Sequence, residues 1–301
     1  MKMSTADWAM LIALSILWGL SYFLIEIALE GLPVLVIVSL RIALAAVVLW
    51  GFVLVARAEV PREPRTWLAF LVMGLLNNIA PFTLIVWGQT EITSSLASIL
   101  NATTPIFAVI VAAVFLNDEP PTSNKIIGVV IGFLGVNFMI GPEAIGQVGN
   151  AVLPQLAVIG AALSYALAGV FGRRFHRLGI KPVVSAAGQV TMSALLMGMF
   201  VLATSGFGAV ADAGTQPLLA VAFMAVFSTA VAYIMYFRIL ASAGATNLTL
   251  VTFLIPVTAV LLGVLILDEH LQPGELIGMA LIAVSLIAID GRLFSRRSRV
   301  R

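Results

Sequence analysis

"ILNATTPIFAVIVAAVFLNDE" (residues 99–119) opens with Asn101, Thr103, Thr104 and Pro105 before it settles into an apolar run. A helix in lipid must satisfy its own backbone hydrogen bonds, and proline removes one donor and crowds the preceding turn. The stretch is therefore either no spanning helix or a span broken at a chosen depth. A second stretch decides between the two. "LVTFLIPVTAVLLGVLILDE" (250–269) repeats the pattern: Pro105 faces Pro256 across 151 residues, while Asp118, Glu119 and Gly128 face Asp268, Glu269 and Gly278 across 150. A polar start and a proline that recur in a duplicated element read as a designed interruption of a span.

The match extends upstream. "WLAFLVMG" (67–74) parallels "LLAVAFMA" (218–225), Phe82 falls opposite Tyr233, Trp18 opposite Tyr165, and Arg41 opposite Gln189. The duplication thus covers nearly the whole chain.

Composition sets the solvent. Of 301 residues, 61% are hydrophobic and only 10% charged, and the mean hydropathy is +1.12. A soluble domain of this length needs a charged surface that this chain cannot supply, so it is polytopic in a membrane, where each span takes about 20 mostly apolar residues. Cysteine is absent, which excludes disulfides and thiolate metal sites. The opening "MKMSTADWAMLIALSILWGL" (1–20) reads as a retained first helix, because Asp7 interrupts a signal-type n-region and no A-x-A site follows.

Apolar runs predict helices near 6–28, 33–56, 66–87, 94–116, 125–141, 153–172, 182–205, 216–237, 246–267 and 275–290. Basic residues collect on the cytoplasmic side of membranes. With the N-terminus inside, the inner segments hold Lys2, Arg57, Arg62, Arg65, Lys125, Arg173, Arg174, Arg177, Lys181, Arg238, Arg292, Arg296, Arg297, Arg299 and Arg301, every basic residue except Arg41. Both termini are expected to be cytoplasmic, with "GRLFSRRSRVR" (291–301) lying against anionic headgroups.

Five helices per half is an odd number, so the second half must run through the bilayer in the opposite sense. The expected fold is all-α and polytopic: ten transmembrane helices as two inverted five-helix repeats, 1–145 and 150–291, around a central cavity, followed by a basic tail at 292–301. Inverted repeats are a transporter architecture, with the substrate near midplane at their interface.

Polar residues at mid-span are the candidate substrate contacts. Helix three offers Asn77 and Asn78, then Pro81 and Phe82; helix four offers Ser98, Asn101 and Thr104 ahead of Pro105; its repeat offers Thr252 ahead of Pro256. Helix one adds Trp18 and Tyr22, helix six Tyr165, and helix eight Thr229 and Tyr233 on one face. Pro81, Pro105 and Pro256 are candidate hinges. Each polar residue has a plainer reading, since Asn in a span also serves as interhelical glue and Ser or Thr bonds back to its own helix. Arg41, in helix two, either snorkels or pairs with a carbonyl or with Glu26, or it meets a substrate carboxylate or a gate. No carboxylate falls at midplane, so a proton relay or a cationic-drug site is poorly supported.

The ordered set "LWGLSY" (17–22), "SLRIALAAVVL" (39–49) and the duplicated proline, apolar run, "DE" and glycine resembles the EamA family of the drug/metabolite transporter superfamily, across essentially all of the chain. The resemblance implies ten helices in a basket around a cavity and export of small metabolites across the bacterial inner membrane. It includes an aromatic amino-acid exporter branch, the YddG type, although no motif fixes the substrate. The second half departs from the first at Gln189 and lacks the Trp-Gly pair.

The expectation is a secondary exporter of amino acids, broad in specificity and including aromatic ones, working by alternating access. Export of other metabolites or drugs is the alternative. A membrane-embedded enzyme would need a nucleophile, acid–base pair or metal cluster at midplane, yet His176 and His270 fall in loops and no HExxH or GxSxG occurs. A non-transporting structural protein would leave the duplicated polar cluster unexplained. No cofactor or nucleic-acid partner is expected, the partners being a small-molecule substrate and the bilayer, and no oligomer is required. GxxxxGK[ST] is absent, which excludes direct ATP hydrolysis.

Overall fold

The computed structural model describes residues 3–116, 122–140, 152–248 and 250–290. The Asp118–Glu119 pair, the junction between the halves and the basic tail lie outside the described residues.

Eight long helices and two shorter ones follow one another among the described residues: α1 (Thr5–Leu29), α2 (Val34–Val55), α3 (Pro64–Gly88), α4 (Ser94–Phe115), α5 (Ser123–Ile140), α6 (Val152–Arg177), α7 (Pro182–Thr204), α8 (Thr215–Ala243), then α9 (Val251–Ile266) and α10 (Pro273–Asp290). The first eight are long and apolar enough to cross a membrane; α9 and α10 are apolar but shorter. No strand occurs among the described residues. Their side chains agree with a lipid surround: Leu54, Val55, Val114 and Leu265 are each more than 70% exposed, a surface that water would not tolerate over so many helices.

Local sequence explains the helix ends. Ser4 caps α1, accepting from the Asp7 backbone at 3.1 Å while its own N–H donates to the Asp7 carboxylate at 2.9 Å. Pro64 and Pro182 each sit in the first turn of their helices, where the missing N–H costs nothing. Two predicted ends fall short: α6 continues five residues past 172 and α8 six past 237. Both extensions carry arginines, Arg173, Arg174 and Arg177 on α6 and Arg238 on α8. A hydropathy boundary stops at the first charge, whereas the backbone hydrogen bonding does not.

Three helices are not regular. α3 passes through a π-helical stretch at Leu75–Ile79, and α8 through another at Met224–Val231. In α4 the regular helix stops at Asn101 and restarts at Thr104, with Ala102 and Thr103 as a turn between. Pro105 then occupies the first turn of the new segment, so its absent N–H breaks no bond. Pro256 differs, lying inside the continuous helix α9.

Packing brings α5 onto α10, α2 onto α7, α1 onto α9 and α8, α4 onto α6 and α9, α3 onto α6 and α7, and α8 onto α2. Glycines set the α5–α10 contact. Gly135 and Gly278 face one another so closely that a Cβ on Gly135 would stand 3.0 Å from the Gly278 carbonyl, and Ser285 donates to the Gly128 carbonyl at 2.6 Å. Small residues let membrane helices approach where the hydrophobic effect supplies no drive.

Both ends of the bundle are tied. At one end Ser242 on α8 donates to the Asp7 carboxylate on α1 at 2.5 Å. At the other, Glu269 beyond α9 accepts from the backbone N–H groups of Ser94 and Ser95 at 2.8 and 3.1 Å and from the Ser95 hydroxyl. A carboxylate from the second half thereby caps the first turn of α4 in the first half.

Candidate substrate site

The irregular helices gather the polar residues. A π-helical turn bonds i to i−5, which widens the helix. In α3 the Ala80 N–H reaches the Leu75 carbonyl, and Pro81 follows at once; the wide turn accommodates the ring that an α-turn would crowd. In α8 no proline falls in or next to the π-helical stretch, and the Thr229 hydroxyl donates to the Met224 carbonyl, five residues back, at 3.0 Å. Neighbouring helices meet the same turns: Ser164 on α6 donates to the Leu76 carbonyl of α3, and Ser228 of α8 donates to the Leu17 carbonyl of α1, both at 2.7 Å.

One layer of side chains links these turns. Asn77 donates through Nδ2 to Gln189 Oε1 of α7 at 3.2 Å and to the Tyr233 hydroxyl of α8 at 3.1 Å, and Tyr233 donates to Asn78 Oδ1 at 3.3 Å. Asn78 is fully buried and its Nδ2 has no partner.

Arg41 on α2 completes the layer. It is 6% exposed, donates from Nε to Thr229 Oγ1 at 3.0 Å, and lays its guanidinium over the Phe82 ring, 4.2 Å from the centroid. Its electrostatic neighbours are the hydroxyls of Tyr165, Tyr233 and Tyr22. No carboxylate of a described residue pairs with it. The pairing with Glu26 considered from sequence does not form: Glu26 accepts instead from Gln89 Nε2 at 3.0 Å.

Of the residues singled out in the sequence, the structure thus brings together Asn77, Asn78, Phe82, Tyr22, Tyr165, Thr229, Tyr233 and Arg41. Asn101 lies beside the Tyr22 hydroxyl at the end of the first segment of α4, its Oδ1 buried and without a partner. Ser98 and Thr104 instead donate to carbonyls three residues back in their own helix, Ser95 and Asn101, both at 2.7 Å. Trp18 stacks obliquely on Tyr236 at 5.9 Å and belongs to a separate apolar cluster with Leu11 and Leu14. Thr252 is partly buried on α9.

Gln189 and Gln89 were not among the candidates. Gln189 had a sequence signal, its position opposite Arg41. Gln89, which also donates to the Tyr22 carbonyl at 2.9 Å, sits where a helix end was expected and gave none. The capping role of Glu269 was equally hidden, since the "DE" pair marked only the repeat.

The EamA-like transporter family model matches residues 7–141 and again 153–289. The chain belongs to this family. Among its relatives, the uncharacterized transporter YoaV of Bacillus subtilis is 26% identical over 290 residues, covering 95% of this chain and 97% of that one. The inner membrane transporter YedA of Escherichia coli K12 is 27% identical, covering 94% and 91%. A protein of Streptantibioticus cattleyicolor named a probable terminal-alkyne amino-acid exporter is 26% identical, covering 99% and 97%. A solved crystal structure shares the fold at a TM-score of 0.69 with 20% identity, covering 98% of the transporter and 99% of its own chain.

Proposed function

We propose that this transporter is a secondary exporter of amino acids, built as ten spans in two inverted five-helix repeats and working by alternating access. The observation that carries the reading is the polar layer between the two π-helical stretches. Under the sequence duplication Arg41 matches Gln189, and each reaches the π-helical stretch of the other half: Arg41 of α2 to Thr229 in the α8 stretch, Gln189 of α7 to Asn77 in the α3 stretch, one position away from the strict repeat partner of Thr229. The helix pairings obey the same exchange. α1 on α9 corresponds to α6 on α4, α3 on α7 to α8 on α2, and α3 on α6 to α8 on α1, while α2–α7 and α5–α10 map onto themselves. A substrate at such an interface meets both halves, and rocking one against the other changes the side from which it is reached.

The chemistry favours amino acids. Amides, tyrosine hydroxyls, an aromatic face and a single cation suit a neutral zwitterion with an apolar side chain, and the relative named as an amino-acid exporter spans the same length. Phe82 and the tyrosines favour aromatic substrates within that class. The distribution of basic residues supports an orientation with the termini and the Asp7–Ser242 end inside; in that orientation the Glu269 clasp and the Gln89 bridge close the outer end. Other small metabolites are the second reading, favoured by the sparse charge of the site.

Purified protein in liposomes loaded with labelled phenylalanine, threonine and methionine, beside a labelled nucleoside and a cationic dye, tests this. Efflux of at least one amino acid above empty vesicles is expected. Efflux of the nucleoside or dye alone replaces the amino-acid reading with the second one.

A further inference from the structure

We propose that Arg41 anchors a substrate carboxylate, and that the substrate is held in one orientation, carboxylate at Arg41 and ammonium toward Asn101. This rests on the transport reading above. A buried cation is costly unless it is paired and hydrogen-bonded. Arg41 is 6% exposed, yet it spends only Nε on Thr229 and has no carboxylate partner among the described residues. The four N–H groups on its terminal nitrogens remain, and they form the fork that grips a carboxylate through two parallel bonds. Phe82 covers one face of the guanidinium and so steers an anion to its edge.

The surroundings add donors on this side and an acceptor on the other. Asn78 Nδ2, fully buried and unpartnered, is a further donor, held through Tyr233, whose hydroxyl is also a neighbour of Arg41. Asn101 Oδ1 is a buried acceptor without a partner, and it lies beside Tyr22, another neighbour of Arg41. Unpaired donors and an unpaired acceptor in one group of side chains match the two ends of an amino acid. The orientation is single because the duplicated position holds the neutral Gln189, already engaged by Asn77.

Binding to the purified protein in detergent, by calorimetry, provides the test and needs no transport. The probes are L-phenylalanine, L-phenylalaninamide and 3-phenylpropionate, with L-threonine and L-threoninamide as a second pair. The free acid is expected to bind about tenfold to a hundredfold more tightly than its amide in at least one pair, as fits a charge-assisted hydrogen bond. In Arg41→Gln that preference should fall to within about threefold, while Arg41→Lys retains part of it. Asn101→Ala should lose the preference for phenylalanine over 3-phenylpropionate and keep acid over amide. Amides binding as well as acids to the wild type, binding of neither acid, or an undiminished preference in folded Arg41→Gln overturns the anchor. The wild-type comparison decides even if the variant does not fold. Acid binding without any flux in liposomes contradicts the transport reading and leaves the anchor standing; flux without acid preference does the reverse.

Discussion

Arg41 Nε donates to Thr229 Oγ1 at 3.0 Å, joining α2 to the π-helical stretch of α8. Its counterpart, Asn77 to Gln189, joins α7 to the π-helical stretch of α3 at 3.2 Å. Both contacts run between the two halves of the chain and end in a π-helical stretch, and only one of them carries a charge. In the proposed transport cycle, contacts between the halves are what must change as access alternates, and the charge on one side alone is what fixes a polar substrate in one orientation.

Thr229 keeps the guanidinium in place, so Thr229→Val should loosen it. A lost hydrogen bond to a charged group costs about 1.5–3 kcal/mol. Thermal unfolding in detergent should show that loss, and substrate affinity should fall with it. Thr229→Ser, which keeps the acceptor, should restore both.

Glu269 holds the first turn of α4 from the far half of the chain. Replacing it with Ala should open that end of the bundle. The chain has no cysteine, so Ser94→Cys in an otherwise unchanged background provides a clean probe at a position that is fully buried. A membrane-impermeant maleimide added to right-side-out vesicles should label Ser94→Cys slowly and the Glu269→Ala, Ser94→Cys double variant several times faster. Equal rates would remove the clasp from the account. Gly263→Ala should act like the loss of Glu269, because a Cβ there would collide with the Glu269 carboxylate and the Ser95 hydroxyl.

The two prolines should respond differently. Pro105 opens a helical segment, so Pro105→Ala is expected to change stability by less than about 0.5 kcal/mol. Pro256 interrupts a continuous helix, and an interior proline costs about 3 kcal/mol. Pro256→Ala should therefore raise the unfolding temperature and, by stiffening α9, slow transport.

Gly278→Val tests the α5–α10 seam. A Cβ at Gly278 would run into Met139 and stand 2.7 Å from the Gly135 carbonyl. Overpacking of this kind costs about 1–3 kcal/mol, and the unfolding temperature should drop accordingly. Gly51→Val, at a position with open space beside it, should leave stability unchanged.

Much of this was legible in the sequence. Helix positions followed from apolar runs, and most of the central residues followed from polar groups at mid-span, where lipid leaves them few alternatives. Two kinds of feature were not. The π-helical stretches carry no hydropathy signal, because widening a turn changes backbone register and leaves composition untouched. Long-range partners were equally hidden. Ser98, Thr104 and Thr229 are hydroxyls of the same general kind, yet two bond back to their own helix and the third also receives Arg41. Only the packing of α2 against α8 separates them. The repeated prolines looked like matched weak points. In the structure one begins a segment and the other sits inside a helix, because the break in α4 falls at Ala102 and Thr103, where α9 at the matching depth is continuous.

The central claim is that substrate crosses through the layer formed by Asn77, Asn78, Tyr233 and Arg41. Counterflow of labelled phenylalanine and threonine in liposomes, run on wild type, Asn77→Ala and Tyr233→Phe at matched amounts of folded protein, measures it most directly. The account predicts counterflow of at least one of the two through the wild type and a loss of tenfold or so in each variant, in line with about 1–2 kcal/mol per disrupted polar contact. Wild-type rates in both variants, or no counterflow of either amino acid through the wild type, would contradict it.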